Sequence, residues 1–105
     1  MVHGDFYARH LLLAEDGGLA GVIDWGDVCW GDPAIDLSVA FTVLGPEARA
    51  VFFETYGAVE QDCLERARFT GLARYGVSLL AYAVERKQER LVKVAMRGVR
   101  NALLR

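Results

Sequence analysis

Two short apolar runs separated by an acidic double-glycine segment constrain the N-terminal third of this chain more than any other feature. The runs span residues 11–14 and 19–23, and Glu15-Asp16-Gly17-Gly18 lies between them. An acidic, glycine-rich segment between two apolar runs is typical of the turn in a β-hairpin. The sequence therefore predicts two antiparallel strands, and this hairpin joins the acidic motifs on either side of it.

The rest of the chain has the patterns of helices. Pro33 can open a helix that reaches about residue 44, and Gly45-Pro46 can end it and start a second that stops at Gly57. A third helix is predicted over about residues 61–85, with low helix propensity at Gly71 and Gly76. A fourth is predicted over about residues 88–104. The apolar face predicted for the fourth helix contains Leu91, Val92, Ala95, Val99 and Leu103.

Length and composition agree with one domain over residues 1–105. A chain of 105 residues with 53% hydrophobic content can build one core but not two, and no long linker interrupts it. We therefore predict an α+β fold that is mainly α, with one β-hairpin followed by about four helices.

Three motifs follow one another around the hairpin. The segment His3-Gly4-Asp5-Phe6-Tyr7-Ala8-Arg9-His10 precedes it, Asp24-Trp25-Gly26 follows it, and Gly31-Asp32-Pro33-Ala34-Ile35-Asp36-Leu37 comes next. Kinase catalytic loops contain His-x-Asp, four further residues and Asn, with Asp-Phe-Gly later in the chain. In order and spacing, this stretch resembles the catalytic segment of the aminoglycoside phosphotransferase family, which also includes choline-kinase-like enzymes.

The resemblance implies a protein-kinase-like fold, of which this chain looks like the C-terminal lobe. Residues 1–36 then form the catalytic loop and metal hairpin, and residues 37–105 form the helical part of the same domain. The implied activity is ATP-dependent phosphoryl transfer to a hydroxyl of a small molecule, and the identity of that molecule cannot be read from the motifs.

The residue types themselves suit phosphoryl transfer, which requires positioning and charge neutralisation. Asp5 follows a glycine at the start of a loop, where it can accept a proton from a substrate hydroxyl. Asp24 ends an apolar strand, where a divalent cation could link it to phosphate oxygens. Asp36, near a helix start, can accept backbone N–H bonds or brace the loop, so Asp36 and His3 are assigned to structural support. Each motif alone is also compatible with an ordinary turn.

His10 stands where the resemblance predicts an asparagine that binds magnesium. An imidazole nitrogen suits a hard cation less well than an amide oxygen does. We predict Asp24 and His10 as ligands of magnesium, with manganese or zinc as alternatives for the second position. A site that has lost its chemistry, or a histidine that only hydrogen-bonds the loop, is equally open.

The nucleotide-binding elements that the resemblance implies are not found in the sequence. Only two residues precede His3, and the only lysines, Lys87 and Lys93, lie in predicted helical surroundings. A glycine-rich loop and a strand lysine are needed to hold ATP. We therefore expect a natural truncation, an internal start at Met1 or a longer native product, and little or no phosphate transfer by this chain alone.

Charge is unevenly distributed along the chain. Residues 1–36 carry seven acids and one basic residue, whereas residues 64–105 carry ten basic and three acidic residues. The basic residues are spread along helices without interleaved aromatics, and the net charge is −2, so a solvated helical face is favoured over nucleic-acid binding. The resemblance implies a substrate pocket beside the C-terminal helices, where four acids could meet a cationic substrate: Glu47, Glu54, Glu60 and Asp62.

Other expectations concern partners and location. The high apolar content indicates that apolar surface remains after the core closes, which favours a homo-oligomer or contact with a missing N-terminal lobe. Cys29 and Cys63 form no metal or redox motif and are expected to be reduced and buried. The chain opens without a signal sequence and has no apolar run long enough to span a bilayer, so a cytoplasmic location without membrane contact is expected.

Two functions outside the kinase class stay open at this point. The first is a noncatalytic oligomeric scaffold or binding module derived from such a kinase. The second is a small metal-dependent hydrolase with a transition metal among His3, Asp5, His10 and Asp24.

Overall fold

The predicted β-hairpin is present in the computed structural model, which describes residues 1–104. Strand β1 (Leu11–Leu13) pairs antiparallel with β2 (Leu19–Val22), and the register shifts between Leu12 and Leu13. The turn closes through the Ala14 N–H, which donates to the Gly18 carbonyl oxygen at 2.7 Å. Each strand is one residue shorter than the sequence predicted, which is the usual size of a difference at the end of an element.

The remaining elements are helical, so the predicted mainly α architecture is confirmed. The helices are α1 (Pro33–Thr42), α2 (Pro46–Tyr56), α3 (Gln61–Thr70), α4 (Leu79–Glu85) and α5 (Glu89–Leu103). A π-helical stretch, Gly71–Ser78, joins α3 to α4 without a break. The long helix predicted over residues 61–85 is therefore continuous but wider in its middle, where the two glycines lie.

Helix α1 lies at the centre of the bundle and packs against α3, α5 and the π-helical stretch. One cluster of the core contains five almost completely buried residues, namely Ala34, Leu37, Phe41, Ala67 and Ala102. Gly76 lets two segments approach closely, because a Cβ there would lie 2.8 Å from Cγ2 of Val99. Small residues thus allow the π-helical stretch to pack directly on α5.

Helix α5 buries a slightly different face from the one predicted. Leu91 and Ala95 are buried as expected, but Leu103 is 63% exposed and Ala102 is buried in its place. The buried positions continue through Gly98 to Ala102, in steps of three and four residues. Leu103 is the last helical residue and lies beside this stripe rather than on it, so its assignment to the core face was wrong.

Arg49 is the largest polar side chain in the interior. It is 7% exposed, and its guanidinium donates to the carbonyl oxygens of Ala40 (3.3 Å), Asn101 (2.7 Å) and Leu104 (2.8 Å). It also lies over the Phe41 ring at 4.7 Å. Burial lowers the pKa of Arg49, and the neighbouring Arg68 lowers it further. Arg49 therefore ties α2 to the C-terminal ends of α1 and α5.

The hairpin and the segment that follows it expose much apolar surface. Leu13 is 70% exposed, Leu19 63% and Trp30 83%, and the strands contact the helices only sparsely. Cys29 is also exposed and Cys63 is half-buried, so the expected burial of the cysteines was wrong. Within residues 1–104, no helix has both the length and the apolarity that crossing a bilayer requires.

Candidate active site

The segment that contains Asp5 is attached to α1 by the side chain of Asp36. The backbone N–H of His3 donates to Asp36 Oδ2 at 2.7 Å, and that of Gly4 donates to Oδ1 at 3.1 Å. Gly4 has φ +92°, and a Cβ there would overlap the carbonyl oxygen of Asp27. Only glycine suits this position, because both the conformation and the close approach of another backbone exclude a side chain.

His3 is buried and bonds only to backbone groups through its ring. Its Nδ1 accepts from the N–H of Asp5 at 3.1 Å, so the ring proton belongs on Nε2, which donates to the Ile23 carbonyl oxygen at 2.8 Å. The ring thereby holds the start of the catalytic loop against the end of β2. Both nitrogens are engaged, so His3 offers no free metal ligand in this arrangement.

The carboxylate of Asp5 is held from the helical side of the molecule. The Tyr75 hydroxyl donates to Asp5 Oδ1 at 3.0 Å, and Nη2 of Arg74 lies 3.8 Å from the same oxygen. Tyr75 is 4% exposed, and its ring stacks on that of Tyr7 at 5.2 Å. Burial raises the pKa of Tyr75. The positive charge of Arg74 lowers this pKa, and the hydrogen bond to Asp5 raises it. Asp5 Oδ2 is the oxygen left to other partners.

His10 lies between Asp5 and Asp24 and contacts both. Its Nδ1 lies 2.8 Å from the Asp5 carbonyl oxygen, which can only accept, so Nδ1 carries a proton. Its Nε2 lies 3.2 Å from Asp24 Oδ2. In a neutral imidazole this Nε2 is a bare lone pair that faces a carboxylate. A proton or a cation between the two atoms would make this contact favourable.

Asp24 has an unusual backbone conformation. Its φ and ψ are 62° and 63°, in the left-handed region, at the junction of β2 and a 3₁₀ turn, Trp25–Asp27. Aspartate tolerates this region better than most residues, and such outliers are concentrated at functional sites. The kink turns the carboxylate toward His10 while leaving the side chain 62% exposed.

Two atoms able to coordinate a divalent cation are therefore adjacent, Asp24 Oδ2 and His10 Nε2. Their separation of 3.2 Å is compatible with bonds of about 2.0 to 2.2 Å to one ion. Within residues 1–104, no group of three or more histidine, cysteine, aspartate or glutamate side chains is arranged to hold a metal. One oxygen and one imidazole nitrogen form a donor pair that suits a transition metal better than magnesium, whose usual ligands are oxygens.

Asp32, from the third motif, is not part of this cluster. It caps α1 by accepting from the Ala34 N–H at 3.1 Å and pairs with Nε of Arg66 at 2.7 Å. The Arg66 bond and the cap both lower the pKa of Asp32. The pair is exposed, so its effect on stability is small.

Sequence reasoning missed Tyr75 and Arg74 as neighbours of Asp5. They lie about 70 residues away in the chain, inside a segment whose only local signal was two glycines. A π-helical stretch is frequently found at a functional site, but it cannot be read from residue spacing in one sequence.

Comparison with known proteins gives one family and one relative. The model of the phosphotransferase enzyme family, APH, matches residues 1–72. An uncharacterized protein of Bacillus subtilis (strain 168), YcbJ, is 26% identical over 106 residues, which cover 94% of this chain and 33% of that protein. The chain thus spans about a third of the length of the curated relative it matches. No solved structure gives a significant match.

Proposed function

Because the chain belongs to the phosphotransferase enzyme family, we propose that residues 3–36 form a site for phosphoryl transfer from ATP to a hydroxyl of a small molecule in the cytoplasm. One observation carries the proposal: the His10 ring lies between the two carboxylates, with Nδ1 4.0 Å from Asp5 Oδ2 and Nε2 3.2 Å from Asp24 Oδ2. The proposed base and the metal-binding pair are thus connected through one imidazole ring, and this arrangement supports bringing a hydroxyl and a metal-bound phosphate together at the site.

Asp5 is the general base in this proposal. The Tyr75 hydroxyl fixes Oδ1, so Oδ2 is the oxygen that takes the proton from the acceptor hydroxyl. As that proton moves to Oδ2, the acceptor oxygen forms a bond to the γ-phosphorus and the bond to the ADP oxygen breaks. His3 and Asp36 support the loop through its backbone, which holds Asp5 in place while the proton moves.

Asp24 and His10 hold the divalent cation. When bound, the cation neutralises phosphate charge during the transfer. Since one of the two ligands is an imidazole nitrogen, manganese is expected to bind more tightly than magnesium at this pair.

The nucleotide also needs contacts that we assign to an N-terminal lobe, supplied by a longer native chain or by a partner. The exposed apolar residues of the hairpin and its following segment support this, since Leu13, Leu19 and Trp30 offer a surface for another folded unit. A second copy of the chain is the alternative occupant, as expected for a homo-oligomer.

The test is a calorimetric titration of the purified chain with magnesium and with manganese, each with and without ATP. We expect weak binding that needs ATP, because this chain supplies the metal pair but not the remaining nucleotide contacts. The binding should be lost in Asp24→Asn, a change that keeps the shape and the left-handed backbone. Asp62→Asn, at an exposed position of α3, is the matched control and should leave binding unchanged. His10→Asn should raise the affinity for magnesium relative to manganese.

Three outcomes would count against the proposal. Heat that is the same in Asp24→Asn as in the native chain would remove Asp24 from the site. No heat in any arm, together with stable self-association in sedimentation, would favour the noncatalytic scaffold. Tight manganese binding without nucleotide would instead favour the hydrolase.

A further inference from the structure

An open cavity of about 710 Å³ lies between the catalytic loop and the turn that leads into α5. Ala8 and Arg9 form its loop side, while residues 87–91 and Val94 form the other. Its lining carries three cations, Arg9, Lys87 and Arg90, against one carboxylate, Glu89. The cavity therefore has an excess of two positive charges in a protein whose net charge is −2.

This positive cavity adjoins the proposed site through the loop itself. Arg9 immediately precedes His10, and Ala8 and Arg9 belong to the same 3₁₀ turn. Burial and the negative charge of Asp5 raise the pKa of Tyr7, whereas the positive charge of Arg9 lowers it. Arg9 and Asp5 therefore both lie close enough to influence the Tyr7 hydroxyl. A smaller cavity of about 160 Å³ shares Ala8 and is lined by two more cations, Lys93 and Arg97.

The acids expected to meet a cationic substrate lie elsewhere. Among the described residues, none of the four lines either cavity: Glu47, Glu54, Glu60 and Asp62. They belong to α2, to α3 or to the segment between them. The side of the catalytic loop that faces α5 is consequently cationic, which is the opposite of what an amine-rich acceptor requires.

Lys87 holds an uncommon backbone conformation in this lining. Its φ is +55°, and it lies just after the end of α4. The Lys87 N–H donates to the Val84 carbonyl oxygen at 3.1 Å, and the Gln88 N–H donates to the Ala83 carbonyl oxygen at 2.9 Å. Glycine is the usual residue at this position of a helix end, because other residues are strained there. The lysine side chain is thus kept in the cavity at a cost to the backbone.

We propose that this cavity binds the acceptor of the phosphoryl group, and that the acceptor is a small hydroxyl compound with a phosphate or carboxylate group. The inference rests on the proposed phosphotransferase function and specifies its substrate class. Arg9, Lys87 and Arg90 bind the anionic group. The hydroxyl is directed toward Asp5, which lies four residues before Arg9 on the same loop. Compounds rich in amines are repelled by the same three side chains.

The test is an NMR titration of the ¹⁵N-labelled full chain at low ionic strength, without nucleotide or metal. The probes are glycerol 3-phosphate, glycerate, neutral glycerol and the polyamine spermidine. We expect saturable shifts at the amides of Arg9 and residues 87–91 with one or both anions, and none with glycerol or spermidine. The two anionic arms distinguish a phosphate site from a carboxylate site.

Lys87→Gly separates a binding role from a structural one. It should weaken anion binding about three- to fivefold, as expected for the loss of one exposed charge. It should also raise the midpoint of thermal unfolding, because glycine relieves the backbone at φ +55°. Arg100→Gln, at an exposed position of the same helix as Arg90, is the matched control and should change neither quantity.

The inference is overturned if Lys87→Gly binds the anions as the native chain does, if the anions shift only amides outside the cavity, or if spermidine alone shifts the cavity amides. Failure of the proposed function looks different. If the cavity binds anions but the calorimetric titration shows no metal or nucleotide binding, the bound anion is not a phosphoryl acceptor. Nucleotide and metal binding without anion binding would overturn only the substrate class.

Discussion

The catalytic loop and hairpin differ from the helical bundle in what holds each in place. Residues 1–32 contain much exposed apolar surface, and the backbone of the loop is fixed by polar groups, chiefly Asp36 and His3. Residues 33–104 are held by apolar packing around α1, with Gly76 allowing close approach. Precise orientation of the site is thus achieved here by directional hydrogen bonds, while the helices are held mainly by apolar contacts that have no preferred direction, to which Arg49 adds hydrogen bonds.

Several contacts between the two regions are made by single side chains, among them the Arg66 pair with Asp32 and the stacking of Tyr75 on Tyr7. Asp36 reaches from α1 to the loop backbone, and Tyr75 reaches from the π-helical stretch to the Asp5 carboxylate. Damage to one region should therefore spread to the other chiefly through such contacts. The three substitutions below test that separation, in order of decreasing effect.

Gly4→Ala should disrupt the loop while leaving the helices folded. A Cβ at φ +92° is strained and overlaps the Asp27 carbonyl oxygen, so we expect a loss of about 3 to 5 kcal/mol in the stability of the loop. Hydrogen exchange should show faster exchange at the amides of His3 and Gly4, with helical amides little changed. Gly21→Ala is the control, because a Cβ there meets no atom within 4 Å. Equal loss of protection in the helices would show that the two regions unfold together.

Arg49→Met should act on the bundle instead. It retains apolar bulk beside Phe41 but removes the donors to the carbonyl oxygens of Ala40, Asn101 and Leu104, which should lower the free energy of unfolding by about 2 to 4 kcal/mol. Urea unfolding followed by circular dichroism measures this loss. Arg100→Met, at an exposed position, should change stability by less than about 0.5 kcal/mol. A similar loss in both variants would contradict a structural role for Arg49.

Tyr75→Phe should have the smallest effect, since it removes one hydroxyl from the contact between the regions. The lost bond to a carboxylate should cost about 1 to 2 kcal/mol at neutral pH, whereas Tyr82→Phe, at an exposed position, should cost nothing measurable.

The same variant gives a pH signature. The pKa of Tyr75 is raised in the folded state, so its contribution to stability is complete below about pH 10 and is lost as pH rises above that value, where the unfolded chain ionises first. Unfolding measured at pH 8 and pH 11 should therefore show a smaller alkaline loss in Tyr75→Phe than in the native chain. An identical loss would mean that Tyr75 is as accessible to ionisation as a free tyrosine.

Much of the fold could be predicted because its signals are local. Pro33, Gly45-Pro46 and Gly57 mark helix ends through backbone geometry, and the double glycine marks the hairpin turn in the same way. Leu103 was misassigned because a small change in helical phase at a helix end decides which neighbour is buried. The proximity of Asp5, His10 and Asp24 also follows from short loops around one hairpin.

The sequence by itself determined the hairpin, the helix boundaries and the candidate site residues within the first 36 positions, because each depends on residues a few places apart. Tertiary structure alone decided that Tyr75 holds Asp5, that Arg49 is buried, and that cations rather than acids face the loop from α5. These features join residues about 50 to 80 positions apart. Such contacts depend on how helices pack and cross, and the propensities of individual residues do not determine that geometry.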